Sequence, residues 1–523
     1  MITRTLCLAA ALAFPSTLSF AQTTPTKETS PASTLDSTRT RAKEMAQKAI
    51  SWLRTQQDQK TGGWGIREGA PVFPAITGLI VSGMAAHKDA LNITDNDTNL
   101  QAGIKFMLDS QQPDGGIYQG MLPSYNTAIC LTALSSVQTP PQVVDARKRA
   151  IAFLTSLQYG DAAITYENLG ESAKVVTEAD PYYGGWGYGR HGRPDLSNSA
   201  FAIEALHAAG VSENDPVFKR ALVFLKRCQM VEKIGDTQVN DMPYAKGSTQ
   251  GGFIYATAVN KDSGGIGQSA AGEIAESLSG TAGSATTVTL SQKGKDNKPV
   301  TLARKTIEER VQKAINDTIE LSRGIVPTEF IVVLGPTSDG ASANSFTIRS
   351  NGPASLMSEL AKQVFEAELA DSGSVATESV DNWRAKIEHR AYGSMSYAGY
   401  KSMIYAGLRA NDPRVQAALA WMANNYTLSE NPGMGTDGYY YYLLTFSRAM
   451  KASGLNTLPP ATTQQASSDS TTPLTRNWRE DLVNTLAKYQ NQDGSFRPVD
   501  DRWMEADPLL VTAYCLVALG SVQ

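Results

Sequence analysis

Apolar and polar positions recur along the chain in a pattern that predicts pairs of helices. In the first copy, Ala49, Trp52 and Leu53 share one face while Lys48 and Arg54 lie elsewhere, and a glycine-rich turn follows. This amphipathic run recurs six times, and five copies carry Gln in the last turn. The turns are Gly62-Gly63-Trp64, Asp114-Gly115-Gly116-Ile117-Tyr118, Gly184-Gly185-Trp186-Gly187-Tyr188, Gly251-Gly252-Phe253, Pro432-Gly433-Met434-Gly435 and Asp493-Gly494-Ser495-Phe496.

A second, less charged helical run follows each turn. A helix that is apolar or small nearly all round is buried on several sides, so we expect the second runs to lie inside the first. The pattern predicts an all-α fold, an (α/α)6 toroid of six outer/inner helix pairs around a central cavity. A linear solenoid is the alternative, which the lack of capping-like terminal repeats disfavours. The inner runs are Pro74 to Ala86, Ser124 to Ser136, Leu196 to Gly210, Ser394 to Ala406, Gly438 to Met450 and Pro508 to Leu519.

One interval between repeats is much longer than the others, because the inner helix of the fourth repeat resumes only near Tyr392. We therefore assign residues 39–255 to repeats one to four, 256–390 to a small α+β insertion in the fourth repeat, and 391–523 to the rest. The insertion is expected to be partly disordered at its start. Its composition predicts helices at 305–322 and 356–369 and strands at 330–334 and 345–349.

The N-terminal segment predicts export. A short basic start, an apolar stretch and Ser19-Phe20-Ala21 are typical of a signal peptide over residues 1–21. Residues 22–38 are rich in Thr, Ser and Pro, so we expect a disordered leader there. No later apolar run is long enough for a transmembrane segment. The sequence thus predicts a periplasmic or secreted protein.

Charge and cysteine content narrow the choice of partners. A net charge of −4 and a pI near 5.8 favour no nucleic-acid or anionic membrane partner. Cys130, Cys228 and Cys515 each lie in a helical pattern, so we expect buried thiols rather than a disulfide framework.

The repeat unit of a basic residue, Ala, an aromatic-Leu pair, Gln and Gly-x-Trp resembles the QW repeats of squalene and hopene cyclases and protein prenyltransferase β-subunits. The segments Tyr392 to Gly399 and Asn431 to Gly435 resemble exported bacterial proteins known as prenyltransferase/squalene-oxidase-repeat proteins. The resemblance covers the chain apart from the leader and the insertion. It implies that the repeat glutamine and aromatic tie an outer helix to the start of a neighbouring inner helix.

The catalytic signatures of those families are absent. Cyclases of this type protonate substrate with a DxDD run, and the nearest segment here, Asp500-Asp501-Arg502, lacks the first Asp. Prenyltransferases use an Asp/Cys/His zinc site, where this chain reads Asp437-Gly438-Tyr439-Tyr440. Zinc needs converging protein ligands, and the four histidines have no such spacing. We therefore predict neither a metal nor a cofactor.

Three acids stand where inner helices begin: Asp195, Asp437 and Asp507. Each is suited to capping its helix, most clearly Asp507 before Pro508. Inner helices of a toroid begin at one mouth, so these carboxylates are also candidates for an acid/base cluster or a cation site.

Polar residues within the inner helices mark a second candidate region. Glu204 and Lys401 are almost never buried unpaired, so we expect them to face each other or share the cavity wall, as a structural ion pair or as part of a ligand site. We expect Tyr440 or Tyr441, together with Tyr397, to reach the cavity; packing between helices is the alternative. Candidates for a lip before the last inner helix are Arg502, Trp503 and Glu505.

Two functions remain open from the sequence. The first is an exported lyase, isomerase or transferase acting on an unsaturated lipid or a polar polymer in the central cavity. The second is a non-catalytic binding or scaffold protein, in which the toroid is a platform and the insertion binds a protein partner.

Overall fold

The computed structural model describes residues 31–65, 73–161, 175–189, 194–242, 245, 247–257, 391–459 and 476–523, together with strand segments between 286 and 389. Helices make up most of the described chain. The predicted signal peptide and residues 22–30 of the predicted leader lie outside the described residues, as do the two predicted helices of the insertion.

The helices alternate along the chain between half-buried and almost fully buried ones. In chain order they are α1 Pro31–Thr55, α2 Pro74–Ala86, α3 Lys88–Leu91, α4 Thr98–Asp109, α5 Pro123–Ser135, α6 Gln142–Ser156, α7 Leu196–Ala208, α8 Pro216–Cys228, α9 Gly393–Tyr405, α10 Pro413–Asn424, α11 Tyr439–Ser453, α12 Trp478–Ala487 and α13 Pro508–Gly520. All six inner runs inferred from the sequence are helices within a few residues of the expected bounds. Several helices begin at Asp-Pro, because the carboxylate caps the first turn and proline needs no donor there.

The strands are short and antiparallel. They are β1 Gln229–Val231, β2 Lys233–Ile234, β3 Thr237–Gln238, β4 Thr249–Phe253, β5 Thr286–Gln292, β6 Leu302–Ala303, β7 Phe330–Leu334, β8 Ser342–Ala343, β9 Ser345–Ser350, β10 Trp383–His389, β11 Thr457–Leu458 and β12 Arg476–Asn477. Both strands predicted for the insertion are present, as β7 and β9. They belong to a four-stranded sheet of order β10-β5-β9-β7.

The six buried helices contact one another in a closed cyclic order. Among the described residues, α2 packs on α5, then α5 on α7, α7 on α9, α9 on α11, α11 on α13, and α13 again on α2. Small residues allow the close approaches. A Cβ built at Gly83 of α2 would lie 2.7 Å from the Leu516 side chain of α13, and one at Gly78 would lie 3.3 Å from the Cα of Cys130 in α5.

The repeat glutamines join successive outer helices. Each side-chain amide donates twice, at 2.7–3.2 Å, to the carbonyl of its own turn glycine and to a carbonyl of the next outer helix. The last bridge reaches back to α1, so the glutamine contacts also close on themselves. The bridges join Gln57 to Gly62 and Asn99, Gln111 to Gly115 and Ala146, Gln158 to Gly184 and Val217, Gln229 to Gly251 and Arg414, and Gln490 to Gly494 and Met45.

These bridges correct one expectation from the family resemblance. The glutamine links its turn to the next outer helix, whereas we expected a link to an inner helix. In the fifth repeat, Tyr426 replaces Gln, and its hydroxyl donates to Asp481 of α12 at 2.7 Å. The tyrosine therefore makes the same connection between outer helices through a side-chain acceptor.

The turn residue after the glycines makes the link to the inner helix. Its backbone N–H donates to a hydroxyl on the following inner helix at 2.8–3.0 Å, which satisfies a buried donor. The buried indoles of Trp64 and Trp186 also donate to carbonyls of their own outer helices at 2.7 and 2.8 Å. The hydroxyl pairs are Trp64 with Thr77, Ile117 with Thr127, Trp186 with Ser199, Phe253 with Ser396, and Phe496 with Thr512.

Glycine is required where the turn passes under the neighbouring outer helix. Gly184 has φ +87°, and a Cβ there would lie 1.9 Å from the Arg220 carbonyl oxygen. Gly494 has φ +99°, and a Cβ there would lie 2.2 Å from the Lys48 carbonyl oxygen of α1. An L side chain would be both strained and in collision at either position.

The segment assigned to the leader overlaps the start of α1. We expected disorder to Thr38, but α1 begins at Pro31. Proline suits the first turn of a helix, and Thr38 is buried, so packing orders the end of this segment.

The insertion leaves and re-enters the helical framework at adjacent points. The N–H of Tyr392 donates to the Phe253 carbonyl at 3.2 Å, and the N–H of Ala391 donates to the Gln250 side chain at 3.0 Å. The hydrogen bonds of the fourth repeat's turn are therefore made between residues that precede and residues that follow the inserted segment.

Replacing Gln490 with Leu should lower the free energy of unfolding by about 1–3 kcal/mol, because two buried carbonyls lose a donor. Denaturant unfolding measures the change. Gln47→Leu is the matched control: Gln47 lies on the exposed face of α1, and its substitution should change stability by less than about 0.5 kcal/mol. Equal effects of the two substitutions would show that the closing bridge contributes nothing.

Candidate functional site

A three-residue ion cluster lies inside the ring of buried helices. Glu204 of α7 accepts from the Lys401 ammonium of α9 and from the Arg448 guanidinium of α11, the latter at 2.7 Å. Glu204 and Lys401 are 7% and 2% exposed. The predicted pairing of Glu204 with Lys401 is therefore confirmed, and Arg448 is an addition that we had not expected.

Electrostatics keep the Glu204 carboxylate ionised. Burial acts to raise its pKa, but the charges of Arg448 and Lys401 outweigh burial and lower the pKa of Glu204 to about 2. Burial lowers the pKa of Lys401, opposed by the Glu204 charge and assisted by Arg448. The cluster joins α7, α9 and α11 through one carboxylate.

The space beside this cluster is narrow. It leaves no room for a water molecule. The residues that line it are Ala200, Phe201, Glu204, Lys401, Tyr441, Leu444, Thr445 and Arg448. Side chains close the space beside the ion cluster, although we expected the inner helices to surround a central cavity.

Of the three candidate tyrosines, Tyr441 alone lines this space. Its hydroxyl lies 2.8 Å from that of Ser197. The Tyr440 hydroxyl donates to the Arg497 carbonyl. Tyr397 packs against the rings of Tyr442 and Phe446, with centroids 5.7 and 5.1 Å away, between α9 and α11. Tyr440 and Tyr397 thus follow the alternative of packing between helices.

The three acids at inner-helix starts have different roles. Asp195 caps α7, accepting from the backbone N–H of Asn198 at 2.8 Å. Asp507 caps α13, accepting from the N–H of Leu509 at 2.8 Å. Asp437 is not a cap, because the N-cap of α11 is Gly438 in the left-handed region. Asp437 is instead buried beside that helix start.

Glu505 caps α11 from a distant part of the chain. Its two carboxyl oxygens accept from the backbone N–H groups of Tyr440 and Tyr441, at 3.0 and 2.8 Å. These are the amides that a local N-cap side chain would satisfy, and Gly438 has none. Glu505 is 1% exposed, so it is a buried acid and not the lip residue that we expected.

The surroundings of Glu505 favour its protonated form. Burial raises the pKa of Glu505 to about 8, helped by the charges of Asp500 and Asp437 and opposed by the two amide donors. Asp500 accepts from the Thr436 hydroxyl at 2.8 Å. Three acids, Asp437, Asp500 and Glu505, therefore meet at the start of α11, where a carboxyl group can hold a proton near neutral pH.

A strained apolar segment borders this acid group. Trp503 and Met504 have φ of +54° and +66°, a costly conformation for large side chains. They are 47% and 51% exposed. The Trp503 ring lies over Gly438, where a Cβ would be 2.7 Å from it. Trp503 is exposed beside the start of α11 and stays a candidate for the lip, whereas the side chain of Arg502 lies outside the described residues.

Arg448 escaped the sequence reasoning, and Glu505 was expected in a different role, as part of a lip. Arg448 is a charged residue in a mostly apolar run, the same signal that pointed to Glu204 and Lys401, and could have been found by it. Glu505 lies in a loop, and its role depends on contacts with α11 that no local pattern encodes.

The described residues were compared with the expectations for metal ligands, membrane-spanning helices and cysteines. No group of three or more His, Cys, Asp or Glu side chains there is arranged to hold a metal ion. None of the described helices is long and apolar enough to cross a membrane. Cys130, Cys228 and Cys515 are free and buried, as expected.

Comparison with known proteins shows a weak sequence similarity to a cyclase. No family model matches the chain. A squalene–hopene cyclase of Bradyrhizobium diazoefficiens is 24% identical over 183 residues, which are 34% of this chain and 27% of the cyclase. The chain thus matches little more than a quarter of that relative, and the match supports a terpenoid cyclase-like fold.

A solved structure was also found: a variant of the type II terpene cyclase MstE from Scytonema, bound to its substrate geranylgeranyl dihydroxybenzoate. It is 12% identical, with 86% of this chain and 98% of that chain covered, at a TM-score of 0.26. At that score the alignment adds no argument about the fold.

Replacing Glu204 with Gln should cost roughly 3–5 kcal/mol of stability, because Lys401 and Arg448 lose their shared counterion while buried. Lys401→Met is the matched comparison, since it leaves the Glu204–Arg448 pair intact and should cost less. Denaturant unfolding of both variants at neutral pH measures the difference. A larger loss for Lys401→Met would contradict the central role assigned to the carboxylate.

Glu505 should give the protein a distinctive pH dependence. Its folded pKa is raised from 4.5 to about 8, so the folded state binds the proton more tightly than the unfolded state. Its contribution to stability is therefore full below about pH 4.5 and is lost as pH rises through about 8. Unfolding should show wild type losing on the order of 4 kcal/mol relative to Glu505→Gln between about pH 5 and pH 9. A constant difference would contradict the raised pKa.

Proposed function

We propose that the chain is an exported, terpenoid cyclase-like enzyme built on an (α/α)6 toroid, with an acid/base site at the mouth where the inner helices begin. The observation that carries this proposal is Glu505, a buried carboxyl group that holds a proton near neutral pH beside Asp437 and Asp500. Perturbed, clustered acids of this kind are typical of functional sites.

The toroid is supported by two independent closed sets of contacts. The inner helices pack in cyclic order, and α13 contacts α2. The outer helices are joined by side-chain bridges, and Gln490 contacts α1. A linear solenoid would leave its terminal repeats apart, so both closures favour the six-pair ring.

The chemistry follows from the two protonation states available at this mouth. A protonated Glu505 can give a proton to an alkene or to a leaving group, and the resulting Glu505 carboxylate can take a proton back from the product-forming intermediate. The reaction class is then a lyase, isomerase or transferase step on an unsaturated lipid or a polar polymer. Because Glu505 is buried, the Trp503–Met504 segment must move for substrate to reach it, and its strained backbone favours such movement.

A non-catalytic binding or scaffold role is the second candidate, and the narrow space beside Glu204 favours it. The space among Glu204, Lys401 and Arg448 is too narrow for a lipid chain. In that case the ring is a rigid platform, and the insertion at 256–390 supplies the surface for a protein partner.

Deuterium transfer distinguishes the two candidates. The protein is incubated in heavy water with total lipid and polysaccharide extracts of its own cells, and products are analysed by mass spectrometry. An acid catalyst should place solvent deuterium on a product carbon, where it does not exchange back, and Glu505→Gln should reduce this at least about a hundredfold. Glu430→Gln is the control, because Glu430 is an exposed acid on the segment leading to α11.

Three outcomes separate the candidates. Transfer that is lost in Glu505→Gln and kept in Glu430→Gln supports the enzyme. Transfer that Glu505→Gln leaves intact contradicts the assigned residue. A protein that transfers nothing, but captures a partner released on deletion of residues 258–389, supports the scaffold.

A further inference from the structure

Positive charge accumulates at the opposite end of α11 from Glu505. Arg448 and Lys451 are one turn apart on this helix and therefore share a face. The two ends of the helix are about 22 Å apart. Arg448 and Lys451 lie toward the C-terminal ends of the inner helices, near Lys401 of α9. We call these three residues, Lys401, Arg448 and Lys451, the basic cluster.

Lys451 has no acidic partner among the described residues. Its ammonium donates to the Gly520 carbonyl at 3.2 Å, a neutral acceptor at the end of α13. The charged groups that act on it are Arg448 and Arg479, and both are cations. Burial and these two charges lower the pKa of Lys451. Lys451 is exposed at the end of α11, so its ammonium can be reached by an anion from solvent, and the neighbouring cations favour such binding.

The acid present does not balance the basic cluster. Glu204 is bonded to Lys401 and Arg448 and carries a single negative charge, against three positive ones. His87, which burial and Lys451 hold at a lowered pKa, adds no compensating charge. Tyr405, whose pKa is raised by burial and by Glu204, stays neutral as well. Among the described residues at the C-terminal ends of the inner helices, two positive charges of the basic cluster are therefore not balanced by a negative charge.

We propose that the basic cluster binds an oxyanion, a carboxylate or a phosphate, between Arg448 and Lys451. The planar guanidinium donates along fixed directions and the ammonium supplies a point charge, a pairing that suits an anion with two or more oxygens. The carbonyls at the ends of α11 and α13 disfavour an anion, but a helix terminus carries only about half a charge. Two full positive charges outweigh them.

The anion site does not depend on the proposed acid/base site. It lies at the other end of the ring, and none of its residues contacts Glu505. If the deuterium experiment fails, the proposed anion site is unaffected. If no anion binds, the proposed role of Glu505 is unaffected.

Inorganic phosphate and octanoate are the two probes, each compared with sodium chloride at equal ionic strength. Thermal unfolding and titration calorimetry measure binding to the full-length protein. Wild type should bind at least one probe, with a rise in melting temperature that chloride does not give. Preference for phosphate or for octanoate identifies the head group, and either preference supports the site.

Lys451→Gln should weaken binding of that probe roughly tenfold, because one charged donor is lost. The control is Lys488→Gln, at an exposed lysine after α12, which should bind as wild type does. Glu204→Gln should bind the probe more tightly, since the site then gains positive charge. The probe should also restore part of the stability that this variant loses.

Two results would overturn the proposal. One is a wild-type protein that neither probe stabilises beyond chloride. The other is equal loss of affinity in Lys451→Gln and Lys488→Gln, which would mean a diffuse effect of net charge and no defined site.

Discussion

The structure depends on one recurring interaction, a glutamine side-chain amide shared between two backbone carbonyls. A carbonyl has two lone pairs, so a helix carbonyl can keep its intrahelical bond and still accept from Gln. The turn glycine must then pass directly under the neighbouring helix, which excludes any side chain at Gly184 or Gly494. Spacing between outer helices is therefore fixed by hydrogen bonds, and the hydroxyls of the inner helices fix the second layer against it.

Much of this architecture could be predicted from the sequence because its determinants are local and repeated. The glycine turns, the Asp-Pro starts and the apolar inner runs each lie within a short window, and the helix bounds followed from them. Tyr426 shows the limit. A tyrosine in place of Gln looked like a degenerate repeat, yet its hydroxyl reaches Asp481 and preserves the link. The fifth repeat therefore keeps the connection between outer helices although it has Tyr where the other repeats have Gln.

The candidate site was predicted less completely, for a physical reason. Glu204 and Lys401 could be paired because a buried charge demands a partner, and the two lie at similar depths in neighbouring helices. Glu505 acts on α11 only because the loop folds back across the helix start, and the left-handed Gly438 leaves those amides without a local cap. The resulting arrangement places Glu505 against the first turn of α11, while Arg448 and Lys451 lie in its last turns.

The hydrogen bond between Tyr392 and Phe253 has a consequence for how this protein can vary. It brings the two ends of a very long inserted segment to one point. The contacts of the surrounding repeat therefore do not depend on the length or sequence of the inserted segment. Each doubling of such a segment adds only about 0.6 kcal/mol of closure entropy. The position between Phe253 and Tyr392 should therefore tolerate the exchange of one inserted domain for another, in evolution or by engineering, while the helical framework stays the same.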